Sequence, residues 1–129
     1  MKTFRILAIC FAAFGLYSCA SDDNPPAFGD FRVNGTVISV NSGPHDAGTT
    51  IDFSFDVTDN EALDSYTIKN ESNGSELLAD GQLEGTSQNI GFAFAVPDTA
   101  VSGSNILLTF IAIDNDGLSA FREYTVNVP

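Results

Sequence analysis

Two short acidic runs and one cysteine are the residues of this chain whose types and spacing could do chemistry. Asp59-Asn60-Glu61 and Asp114-Asn115-Asp116 are built alike, carboxylate, amide, carboxylate. Clustered oxygen donors on flexible loops suit Ca2+, so Asp59, Asn60, Asp114 and Asp116 are candidate ligands. A local chemistry competes with this one. Asp and Asn side chains cap backbone groups and tolerate left-handed geometry, so Asp-Asn-Asp-Gly at 114–117 also makes a turn with no metal. The sequence leaves both open and excludes an EF-hand, because the twelfth positions counted from Asp59 and Asp114 are Asn70 and Thr125 rather than Glu. No other constellation points to catalysis. His45 stands alone, no Ser lies in a Gly-x-Ser-x-Gly context, and no nucleophile has an evident base. The remaining carboxylates fall on turns or on the polar phase of alternating segments, which does not make a glycosidase pair. A non-enzymatic protein is expected.

The acidic runs follow segments of strict alternation. Ile51, Phe53, Phe55 and Val57 alternate with Asp52, Ser54, Asp56 and Thr58, the pattern of a strand with one face in a core and one in water. Ile90, Phe92, Phe94 and Val96 repeat it. Leu108, Phe110 and Ala112 give a third inner face, and Tyr124, Val126 and Val128 a fourth. With weaker segments added, seven strands are predicted, at 33–40, 49–58, 64–71, 75–80, 88–96, 105–113 and 120–128. Asn73-Gly74 predicts a two-residue hairpin between the third and fourth of these. Seven strands in about a hundred residues read as an all-β, antiparallel, seven-stranded immunoglobulin-like sandwich. The stretch 53–63 also echoes 108–118 at a constant offset, Phe53 over Leu108 through Leu63 over Leu118. In such a sandwich the two echoed strands are central in facing sheets, which puts the two acidic loops at the same end.

Charge and surface pattern bound the partners. The first eighteen residues hold Lys2 and Arg5, and beyond them only Arg32, Lys69 and Arg122 face seventeen Asp and Glu. Nucleic acid and anionic headgroups both require Lys and Arg, so neither is an expected partner. Leu107, Ile111 and Ile113 lie on the outward phase of their strand, and Phe121 joins them across the next one. An apolar outer strip on an acidic domain is a candidate contact surface for a protein or a glycan.

The N-terminus supplies an address. Met1–Arg5 is basic, Ile6–Tyr17 is uncharged, and Ser18-Cys19 follows, the layout of a secretory signal. The uncharged run of about twelve residues is too short to cross a bilayer, which takes roughly twenty. Leu16-Tyr17-Ser18-Cys19 resembles the bacterial lipobox, which implies cleavage after residue 18 and lipid on Cys19. Ser21-Asp22-Asp23 lies in a run similar to the acidic signal by which Bacteroidota export lipoproteins to the outer face of the outer membrane. Asp98-Thr99-Ala100 resembles the O-glycosylation acceptor of the same bacteria, which makes Thr99 a candidate modification site. Segments 49–68 and 95–128 resemble the small immunoglobulin-like, cadherin-like lipoprotein domains of Bacteroidota, whose families carry no assigned function. That resemblance implies the fold and no catalytic residue. The expected organisation is a signal peptide at 1–18, a lipidated Cys with an acidic, proline-stiffened tether at 19–27, and the sandwich at 28–129. The first strand should start at the end that holds the acidic loops. The tether would then enter beside them, and those loops would face the membrane.

Overall fold

The computed structural model describes residues 23–129. The signal segment, Cys19, Ser21 and Asp22 lie outside the described residues. The alternating segments form the strands their pattern predicts. They are β4 (Thr50–Thr58), β5 (Leu63–Asn70), β6 (Glu76–Gln82), β7 (Ser87–Ala95), β8 (Asn105–Asp114) and β9 (Ser119–Asn127). Before them come β1 (Ala27–Val33), β2 (Thr36–Val37) and β3 (Ser42–Pro44). They build an all-β sandwich of two sheets, ordered β2-β1-β4-β7 and β3-β9-β8-β5-β6. Among the described residues no helix is long and apolar enough to cross a membrane.

The strand count is nine rather than the seven expected, and the difference lies in residues 27–44. Within the predicted strand 33–40 only Val33, the last residue of β1, and the two residues of β2 are extended; the rest of β1 precedes that range and β3 follows it. Asn34 and Gly35 both have positive φ, 50° and 81°, and close a two-residue turn between Val33 and Thr36. This is the hairpin geometry that Asn-Gly favours. The chain then crosses to the other sheet, where β3 pairs with β9 in parallel, so the sandwich is not purely antiparallel. The turn expected at Asn73-Gly74 is also different. A 3-10 turn at Glu71–Asn73 replaces the tight hairpin, capped by the Asn70 side chain, which accepts from Ser72 N–H. The left-handed residues there are Gly74 and Ser75, not Asn73.

The inner faces meet in an aromatic core. Phe110 of β8 lies 5.1 Å from Phe31 and from Phe53, ring centre to ring centre, and Phe53 lies 5.2 Å edge-on to Tyr124. Phe31 enters this cluster because β1 shifts register between Phe28 and Phe31. The expected inner residues of β4, β7, β8 and β9 all reach the core or pack against it. β4 and β8 are central strands of the two sheets, as the echo requires.

β3 rests on β9 through a polar contact. His45 Nε2 lies 2.8 Å from the Tyr124 hydroxyl. Burial holds the His45 imidazole below its ordinary value near 6.5. The folded state therefore binds fewer protons here than the unfolded chain. Stability from this site is full above pH 6.5 and is lost as pH falls from there towards the lower folded value. Melting curves between pH 7.5 and 5 should show this loss, and His45→Gln should flatten that part of the profile. An unchanged slope in the variant would assign the loss to other groups.

Candidate functional site

The two acidic loops do lie at one end of the sandwich and touch, with Asn115 N–H donating to Ala62 O at 3.0 Å. The start of β1 is at the same end, since Ala27 pairs with Thr58. Each loop is organised by its first carboxylate in the same way. Asp59 Oδ2 accepts from Glu61 N–H and Ala62 N–H, both at 3.0 Å. Asp114 Oδ1 accepts from Asp116 N–H at 2.9 Å and Leu118 N–H at 2.8 Å. The sequence echo is thus a chemical one, a buried Asp that ends a central strand and caps the turn after it. Leu63 is buried under one loop, and Leu118 is half-buried under the other.

The other oxygen of each pair is the less usual feature. Asp59 is 9% exposed and Asp114 2%, and Asp59 Oδ1 and Asp114 Oδ2 are buried with no hydrogen-bond partner. A buried acceptor left unpaired costs about 1–3 kcal/mol. Asn60 and Asp116, the other two candidate ligands, are exposed. Among the described residues no three Asp, Glu, His or Cys side chains converge as a metal site would need. The capping role is the chemistry that the hydrogen bonds support directly.

The apolar strip is brought together in part. Ile111 lies beside Phe121 in the β8–β9 ladder, with Thr67 of β5 on its other side. Ile113 sits one row along, opposite Ser65 and Ser119. Phe121 is 67% exposed, while Ile111, Ile113 and Leu107 are half-buried. Leu107 is set apart, because the row Lys69, Thr109 and Glu123 runs between it and Ile111. Its N–H donates to Ser72 Oγ at 2.8 Å, which ties it to the 3-10 turn instead. Thr99 is exposed in the turn after Pro97, and Asp23, the one described residue of Ser21-Asp22-Asp23, is exposed too.

Sequence reasoning missed Arg122. Its guanidinium carbon lies 4.4 Å from the centre of the Phe31 ring, a cation–π contact. The signal was available, since period two places Arg122 in phase with Tyr124, Val126 and Val128. It also missed the partnership of His45 with Tyr124, which depends on the parallel pairing of β3.

No protein-family model matches the chain, and no curated protein matches it. Solved structures align with the chain at low identity. The catalytically inactive form of OgpA from Akkermansia muciniphila, in complex with an O-glycopeptide substrate, aligns with TM-score 0.52 and 10% identity. The alignment covers 81% of this chain and 29% of that one, so this chain spans under a third of that protein. The sporulation control protein Spo0M from Bacillus subtilis aligns with TM-score 0.44 and 10% identity over 78% of this chain and 49% of that one.

Proposed function

We propose that this protein is a surface lipoprotein of the outer membrane, anchored through Cys19, whose sandwich is of the immunoglobulin-like type and binds a partner protein without catalysing a reaction. The N-terminal segment supports the immunoglobulin-like assignment, because it serves both sheets, with β1 on β4 and β3 on β9. The observation that carries binding is Phe121. It is a large aromatic side chain, 67% exposed beside Ile111 on an open sheet face. Aromatic anchors of this kind are enriched at protein interfaces, where they dominate the binding energy. The lipid anchor would hold the domain at the end where β1 begins, which leaves this face free to meet a neighbour in an envelope assembly. Capture of a glycan on the same ring is the related possibility. A structural or adhesive domain stabilised by Ca2+ is the second reading, and the two buried unpaired oxygens of Asp59 and Asp114 favour it.

Cell fractionation and cross-linking test the proposal together. Wild-type protein should partition with the membrane fraction and be cut by protease on intact cells. Cys19→Ala should release it, and Ala at Ser21, Asp22 and Asp23 should end protease access at constant total amount. Phe121→Glu should keep the fold and anchor and lose the cross-linked complex. A Cys19→Ala protein that still follows detergent like wild type would remove the anchor. An unchanged cross-link in Phe121→Glu would remove the binding face.

A further inference from the structure

The two lateral sides of the sandwich are unlike. On one side the segment 36–44 passes from sheet to sheet, and Arg122 covers Phe31. On the other side β6 and β7 are both edge strands. Between them lies a groove of about 550 Å³, with Leu78, Phe94, Ala100 and Ile106 in its lining and Asn73 and Glu76 beside them. β6 carries the usual protections of an edge, the charges Glu76 and Asp80 and an irregularity in its pairing with β5. β7 carries none. Its nine residues, Ser87–Ala95, include no charge and no proline, and they pair with β4 in unbroken register.

The backbone of β7 is half used. Val96 N–H donates to Thr49 O, and Asp59 N–H donates to Thr86 O, so the even-numbered residues bond towards β4. Antiparallel alternation then turns the N–H and C=O groups of Ser87, Asn89, Gly91, Ala93 and Ala95 outward. All five residues are exposed. Neither edge strand contains Lys, Arg or His, and the groove lining contains none; Lys69 of the neighbouring β5 pairs with Leu77 of β6. Between Lys69 and Arg122 the chain has no Lys, Arg or His, and both edges and the groove fall in that stretch. On β4, Asp52 lies opposite Ala93 and Asp56 opposite Asn89. The small outer side chain of Ala93 leaves Asp52 exposed, whereas Asp56 Oδ1 accepts from Asn89 Nδ2–H at 2.8 Å and Arg32 of β1 lies opposite Ser54 between the two acids.

We propose that β7 is the docking edge for an extended, Lys- or Arg-bearing segment of a partner protein, which adds as a fifth strand to the four-stranded sheet. Strand addition takes its affinity from main-chain hydrogen bonds and its specificity from pockets for alternate side chains. The groove fits a long cationic side chain, its methylene stem against Phe94, Leu78 and Ile106 and its charge at Glu76. Outward-pointing cations of the added strand face Asp52 across the small side chain of Ala93. A second copy of this chain would instead bring two acidic flanks together. This surface is separate from Phe121, which lies on the outer face of the other sheet.

The test uses the full chain and a fluorescent peptide of alternating Lys and Val, matched to the nine residues of β7, with a Glu-Val peptide as control. The Lys-Val peptide should bind, more weakly as salt rises, and slow hydrogen exchange at the amides of Ser87, Asn89, Gly91, Ala93 and Ala95. Ala93→Lys, at an exposed position, should weaken it by about tenfold or more, which is about 1.4 kcal/mol. Gly91→Pro removes one outward donor without touching the β4 ladder and should act alike. Phe121→Glu should leave peptide binding unchanged, so this proposal and the Phe121 interface fail separately. No binding, equal binding of the Glu-Val peptide, or protection elsewhere would overturn the proposal. A dimer of the chain alone that Ala93→Lys dissociates would also overturn it and give the edge to a second copy.

Discussion

Phe55→Ala is expected to destabilise the domain by about 3–5 kcal/mol, the usual cost of truncating a core Phe. Phe55 is 1% exposed and sits on β4, a central strand paired on both sides. Its ring is 5.6 Å from Phe31, 5.7 Å from Phe28 and 5.4 Å from Phe110, so one truncation opens both sheets at their junction. No cysteine occurs in residues 23–129, so no disulfide holds the cavity closed. Against a total stability of about 5–15 kcal/mol for such domains, the loss is large. Urea denaturation should show a lower midpoint at an unchanged slope. Phe121→Ala, on the exposed face, should change stability by no more than about 0.5 kcal/mol. A loss under about 1 kcal/mol for Phe55→Ala would mean that the core collapses into the space, contrary to the packing described.

Asp114 separates turn chemistry from cation chemistry. Asp114→Ala removes the acceptor of two N–H groups, those of Asp116 and Leu118, and should cost about 2–4 kcal/mol. Asp114→Asn keeps one oxygen for those donors and puts an amide nitrogen in place of the buried, unpaired second oxygen. It should fall within about 1 kcal/mol of wild type if the carboxylate only caps the loop. Melting in Ca2+ and in chelator, at matched ionic strength, should then be equal. A cation at this end gives a different result. Ca2+ at a hundred times its dissociation constant would add about 2.7 kcal/mol, and Asp59→Asn with Asp114→Asn would abolish that gain. Mg2+ would do less, because it holds its waters and a stricter octahedron.

The inner faces of β4, β7, β8 and β9 were legible because alternation is unbroken there and one face of each strand is buried. Residues 27–44 were not. Phe28 and Phe31 lose their phase at a register shift, and the segment after Val33 serves two sheets in turn, so no single period describes it. Asn34-Gly35 and Asn73-Gly74 look alike in sequence, yet only the first makes the tight turn. The second is overruled by the Asn70 cap on Ser72 and by the irregular pairing beyond it. The echo of Asp59 and Asp114 was legible, and the capping it implies is present. Their unpaired oxygens were not legible, because they depend on which neighbours the fold places above them.

The divided N-terminal segment has a mechanical consequence. A pull on the chain ahead of Ala27 runs along the strand direction, while ladder hydrogen bonds lie across it. The β1–β4 bonds then resist together in shear rather than parting one by one. Behind them β3 is hydrogen-bonded in parallel to the last strand, which gives the N-terminal segment a second grip on the opposite sheet. A domain tethered at this end and held elsewhere by a partner would meet tension with the β1–β4 ladder loaded in shear.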